Sequence, residues 1–229
     1  MNDDRDAILG RVTEALRVPA PRHYEAQMRP GTHSVTAPFR EWLPPVGDSP
    51  ESRIEMFARM SEVLRTEFVR CPTPRAAAQH LAGLAETDGW KTLAYHRGAL
   101  NDAVAAELPA TLSLLRIEPG YDRDALEAAD AGLTECESLV AQTGSVCVTS
   151  PSSGGRTLSV LPPHHIAIAR EEQVVADLAE AYQRLAAKYG AAYPSFVGFI
   201  SGPSRTGDIE RILVLGAHGP KKLTVLLLP

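Results

Sequence analysis

Read by its apolar and polar positions, the chain starts with a helical period and ends in an apolar run. In residues 3–17, Ile8, Val12, Ala15 and Leu16 recur at helical spacing, with Asp3 or Asp4 as a cap, predicting an amphipathic helix. Between Val18 and Pro50 the period disappears. Seven prolines alternate there with Tyr24, Met28, Phe39, Trp42 and Leu43. Prolines deny this stretch regular ladders, yet it carries more large apolar groups than a disordered linker. Residues 1–48 are therefore expected to form a helix and a proline-rich docking arm. The arm would lie on the domain surface, on a partner or on a sister subunit, which leaves a homo-oligomer open.

From Ser49 a regular alternation begins, assigning residues 49–229 to one α/β domain. Ser49-Pro50-Glu51 supplies a cap, a first-turn proline and a first-turn acid for a helix to about Arg65, with Ile54, Phe57, Val63 and Leu64 near one face. A short strand, 67–71, precedes a helix from Thr73-Pro74 to about Glu86, with Ala77, Leu81 and Leu84 inward. Strand 91–96, helix 99–107 and strand 112–117 follow, a βαβ pattern that implies a mainly parallel sheet. Residues 118–138 hold seven acids and one basic residue, Arg123, and read as solvated helix and loop. Next comes a β-rich insertion with strands at 139–142, 145–149, 157–161 and 166–169, the turn 152–155 joining two antiparallel strands. Val174, Leu178, Tyr182, Leu185 and Tyr189 make the stripe of a helix over 171–189, ended by Gly190. Phe196–Ser201 reads as a buried strand.

That strand runs into Gly202-Pro-Ser-Arg-Thr-Gly207. Ser204, Thr206 and Asp208 are available to cap a following short helix. A strand–loop–helix corner presents unpaired N–H groups that bind anions, and Arg205 adds a planar fork suited to carboxylate or phosphate. Thr143, Gly144 and His218, in glycine-bounded turns at strand ends, are candidates for the same wall, with Gly202, Asp208 and Glu210 completing the set. The plainer alternative is a capped turn whose Arg205 only pairs with Asp208 or Glu210.

Composition narrows the chemistry. A formal charge of −5 with no Lys/Arg-rich run points away from nucleic acid, and no apolar stretch is long enough for a membrane span. The acidic start, Asn2 to Asp6, has no apolar signal-peptide core, so a cytoplasmic location is expected. Three cysteines, 71, 136 and 147, are fewer than the roughly four ligands of a cubane cluster. No intrinsic cofactor is expected. Cys147, between two valines, reads as a buried inert thiol. Adjacent His164 and His165 point to opposite faces of a strand, so at most one shares a site with His218, and no metal site is expected. Serine-hydrolase, P-loop and dinucleotide-binding motifs are absent from the sequence.

Three blocks carry a resemblance: Leu139-Val-Ala-Gln-Thr-Gly-Ser-Val-Cys-Val148, Gly155-Arg-Thr-Leu-Ser-Val-Leu-Pro-Pro163 with His165-Ile-Ala-Ile168, and Gly202-Pro-Ser-Arg-Thr-Gly-Asp-Ile-Glu210 with Gly216-Ala-His-Gly-Pro220. In this order they resemble the LUD-domain family of the lactate utilization protein C type, over about residues 131–229. The resemblance implies the sheet of the NagB/RpiA/CoA-transferase-like proteins, with helices on both faces. It also implies a non-redox component of a system oxidising L-lactate to pyruvate, with iron–sulfur partner subunits handling the electrons. The alternative is a stand-alone protein or enzyme for a small carboxylate or phosphate, of the CoA-transferase/methenyltetrahydrofolate synthetase-like fold. Family members usually carry glutamate where this chain has Gln142. An amide is neither a carboxylate nucleophile nor a base, which disfavours a CoA-transferase mechanism through that position.

Overall fold

The structure, a computed structural model, describes residues 3–17, 44–207, 213–215 and 219–229. It divides into two units, residues 1–43 and 44–229. In the first, helix α1 spans Asp3–Arg17. The arm expected over 18–48 lies outside the described residues up to Leu43. Its last residues, from Pro44, belong to the second unit, where Val46 packs against a core cluster.

The second unit is built on a parallel six-stranded sheet of β1 (Glu67–Arg70), β2 (Thr92–His96), β3 (Ser113–Ile117), β4 (Ala131–Glu135), β7 (His164–Arg170) and β12 (Lys222–Leu228), ordered β1-β12-β7-β4-β2-β3. Alternate residues serve opposite faces, so both faces of these strands must be apolar. On one face, Leu133, Ile166, Ile168, Leu226 and Leu228 meet α3 (Pro74–Asp88) and α4 (Ala99–Ala105). On the other, Ala167, Ala169, Leu223, Val225 and Leu227 meet α2 (Pro50–Leu64) and a second sheet. The predicted caps form: Ser49 accepts from Ser52 N at 3.1 Å, and Thr73 from Ala76 N at 3.1 Å. Each helix ends in a left-handed residue, Arg65 and Gly89.

The second sheet corresponds to the β-rich insertion, except that the strand expected over 166–169 lies in β7 of the parallel sheet. It contains β5 (Ser138–Val140), β6 (Ser145–Thr149), β8 (Val174–Val175) and β9 (Val197–Ile200), ordered β8-β5-β6-β9. Four further expectations are corrected here. Residues 157–161 form turns, not a strand, and the 152–155 turn joins no antiparallel pair; the antiparallel partners of β6 are β5 and β9. The helix expected over 171–189 is divided into a short 3₁₀ turn, β8 and α6 (Leu178–Tyr189). Val174 pairs with Leu139, and Asp177 caps α6 by accepting from Glu180 N at 2.9 Å. The acidic segment is only partly solvated helix: α5 (Arg123–Glu127) is followed by buried β4. Asp130 accepts from Lys91 N and Thr92 N at 2.7 and 2.9 Å, and Asp122 caps α5.

Candidate functional site

The segment after β9 does not enter a helix. Arg205–Gly207 forms β10, antiparallel to β11 (Leu213–Leu215), with Arg205 opposite Leu215 and Thr206 opposite Val214. An apolar run downstream offers ladder partners, and this pairing overrides the capping potential of Ser204 and Thr206. Residues 205–207 therefore supply no helix N-terminus of the kind on which the anion reading partly rested. Asp208, Glu210 and His218 lie outside the described residues.

The remaining predicted residues are brought together through hydroxyls and backbone. Thr143 Oγ1 lies 2.7 Å from Ser145 Oγ, which lies 2.7 Å from Ser201 Oγ at the end of β9. Gly202 takes a left-handed φ of 87° and is buried. Ser204 N donates to Pro220 O at 2.8 Å, while Lys221 N and Lys222 N both donate to Pro163 O. These bonds lay the corner against the starts of β7 and β12. Ser201 follows the carboxyl end of β9 in the small sheet, and the corner adjoins the amino ends of the parallel one. Gly144 is needed where it stands, because a Cβ would lie 2.9 Å from Met60 Cβ and from Leu64 Cδ1 of α2. Gln142 holds the start of the second unit, its Nε2 donating to Pro44 O at 3.1 Å.

Beside the corner opens a cleft of about 320 Å³, with Pro203 in one wall and Glu67, Asp88, His164, Lys222 and Thr224 in the others. Glu67, His164 and Lys222 begin three adjacent parallel strands, which is why residues so distant in sequence meet. Lys222 Nζ donates to both Asp88 oxygens at 2.8 Å. Asp88 Oδ2 lies 3.8 Å from His164 Nδ1. On the far side of the ring, His164 Nε2 meets Thr224 Oγ1 at 2.8 Å, and Thr224 donates to Glu67 Oε2 at 2.8 Å. Trp90 packs edge-on against the ring at 5.0 Å. Burial, aided by Lys222 and opposed by Asp88 and Glu67, brings His164 down to about 4, so it is neutral at pH 7. His165 points to the opposite face, where Nε2 meets Thr134 Oγ1 at 2.9 Å and burial brings it to about 3. Among the described residues no group of three or more His, Cys, Asp or Glu is placed to hold a metal ion.

The sequence reading singled out the histidine doublet but missed Asp88, Glu67, Lys222 and Thr224. It also missed a second hollow of about 500 Å³ at the carboxyl ends of β2 and β3, lined by His96, Arg97, Tyr121 and Gly154. The signal for this hollow was His96-Arg97-Gly98 at a strand end. A Cβ at Gly98 would crowd the Glu135 carboxylate, whose Oε1 accepts from Leu100 N at 2.8 Å. Glu137 is engaged structurally. Burial opposes its charge, but bonds from Lys188, Tyr189 and Thr149 outweigh this and hold its carboxyl below the usual range.

Fold and cleft together define an α/β protein with a charged cleft built on the amino ends of a parallel sheet. Residues 54–228 match the model of the LUD domain, and the chain belongs to that family. Among its relatives is the lactate utilization protein C of Deinococcus radiodurans, 36% identical over 129 residues, covering 54% of this chain and 60% of that one. The proteins of the same name from Exiguobacterium sp. and Oceanobacillus iheyensis are 28% and 27% identical. The former alignment covers 79% of this chain and 80% of the relative, the latter 97% of each. The fold matches the crystal structure of a DUF162 family protein from Deinococcus radiodurans with a TM-score of 0.59 and 24% identity, over 80% of this chain and 100% of that one.

Proposed function

We propose that this protein is a non-redox component of a cytoplasmic L-lactate utilization system, working with partner subunits that carry iron–sulfur clusters. The observation that carries the reading is the alignment, over 97% of both chains, with a protein named lactate utilization protein C. The thiols support the division of labour. Cys71 is buried in the core on one face of the parallel sheet and Cys136 in the core on the other, so they do not fit a common cluster. Burial raises all three thiols, Cys147 to about 11, away from the thiolate form that ligates iron. This supports a reading in which a cluster needing about four cysteines is carried by the partners.

Within such a system the corner at 202–206 and the adjoining cleft would hold a small carboxylate or phosphate. Arg205 would supply the fork, with Asp208, Glu210 and His218 as further wall residues. Gln142 argues against the alternative of a transferase acting through its turn, because its amide is committed to Pro44 O. Affinity purification from the native cell tests the assembly. The tagged chain is expected to recover cysteine-rich partner subunits in a brown fraction, and to be colourless and inactive toward L-lactate once stripped of them. Turnover of L-lactate by the isolated chain would reject the proposal.

A further inference from the structure

We propose that the cleft between the amino ends of β1, β7 and β12 binds a small 2-hydroxy carboxylate, its hydroxyl donating to His164 Nδ1 and its carboxylate facing Lys222. This deepens the lactate-utilization reading and rests on it for the natural ligand, while the chemistry follows from the cleft.

The tautomer comes first. Glu67 Oε2 accepts the one hydroxyl proton of Thr224 across 2.8 Å. Thr224 Oγ1 must then accept from His164, which puts the ring proton on Nε2 and a lone pair on Nδ1. Nδ1 is buried and has no hydrogen-bond partner, and His164 is only 4% exposed. The group facing it, Asp88 Oδ2 at 3.8 Å, is another acceptor. Buried polar atoms are ordinarily satisfied, so an acceptor left open beside a carboxylate marks the place for an outside donor. The Asp88–Lys222 pair stands at this spot. Its side chains are 23% and 57% exposed, enough for a small outward shift to admit a hydroxyl.

The anionic end has its own partner. Lys222 gives two hydrogen bonds to Asp88, leaving its third proton for a ligand oxygen. Arg65 and Lys221 line the same cleft and bias it toward anions. At about 320 Å³ the space lies at the small end of ligand pockets, which run from roughly 300 to 1,000 Å³. A 2-hydroxy acid presents an O–H and a carboxylate on adjacent carbons. A 2-oxo acid or a plain carboxylate lacks the donor.

Calorimetric titration of the full chain with L-lactate, pyruvate, propionate and inorganic phosphate tests this. L-lactate should bind about tenfold tighter than propionate or pyruvate. His164→Phe should erase that difference while carboxylate binding persists, and Lys222→Ala should weaken all the carboxylates alike by about tenfold. If His164→Phe does not fold, the nitrogen resonance of His164 Nδ1 in the unaltered protein reads the same bond. It should move with L-lactate and not with propionate. Equal binding of L-lactate and propionate, tighter binding of phosphate, or undiminished binding by Lys222→Ala would overturn the site. Co-purification with partner subunits does not depend on this cleft, so the two readings fail separately.

Discussion

Acidification from about pH 7.5 to about pH 5 should cost the folded protein roughly 4 kcal/mol. The cause is the buried pair His164 and His165, 4% and 1% exposed, whose folded values lie at about 4 and 3 against an ordinary 6.5. Above 6.5 both rings are neutral folded or unfolded, and their contribution to stability is fully present. Below 6.5 the unfolded chain takes up protons that the folded chain refuses, so stability falls until the folded values are reached. At about pH 5, about 1.5 pH units below the ordinary value, each ring has removed about 2 kcal/mol of stability. A domain with about 5–15 kcal/mol to spare is visibly weakened by that sum. Urea unfolding at the two pH values measures it. His165→Gln, which keeps a donor for Thr134, should flatten the dependence by about half. Equal urea midpoints at both pH values would show that these rings are not buried as described.

A second large effect is expected at Gly132, the second residue of β4. A Cβ there would lie 2.6 Å from the carbonyl oxygen of Leu158, 3.0 Å from Pro162 Cγ and 3.2 Å from Leu158 Cδ1. The first contact is with backbone, which cannot rotate away as a side chain can. Overpacking of this kind typically costs about 1–3 kcal/mol. Gly132→Ala should fall in that range and Gly132→Val beyond it. Gly83 makes the contrast. It sits in the exposed face of α3 with nothing within 4 Å of an added Cβ, so Gly83→Ala should stabilise by about 0.5–1 kcal/mol. Thermal unfolding of the three variants beside the parent checks both signs. A Gly132→Val protein as stable as the parent would mean that residues 157–162 do not lie on β4.

That same segment shows where sequence legibility ended. Helices α2 and α3 were readable to within a residue or two because cap and first-turn proline agree at Ser49-Pro50 and Thr73-Pro74, although Val63, expected near the inner face of α2, is 68% exposed. Strands β2, β3, β6 and β9 were readable as short apolar runs. Thr157-Leu-Ser-Val-Leu161 alternates like a strand, yet folds as turns, because Leu158 is drawn down onto Gly132 and its buried neighbours. Val174 matches a helical stripe, but its backbone finds a ladder with β5, leaving Leu178 and Tyr182 of the supposed inner face 39% and 53% exposed. Residues 205–207 differ for a related reason: the local caps at Ser204 and Thr206 predict a helix, and a partner strand several residues on takes the backbone instead. The cleft is legible only in part. His164 stands out in sequence, but Glu67, Asp88 and Lys222 come from other elements, and only the parallel register that places three strand starts side by side brings them to it.

The central claim, a role in lactate utilization, is tested most directly by growth. A strain of the native organism lacking this gene should fail to grow on L-lactate, grow normally on pyruvate, and recover on L-lactate when the gene is restored. Undiminished growth of the deletion strain on L-lactate, with no second copy of the gene present, would contradict the account.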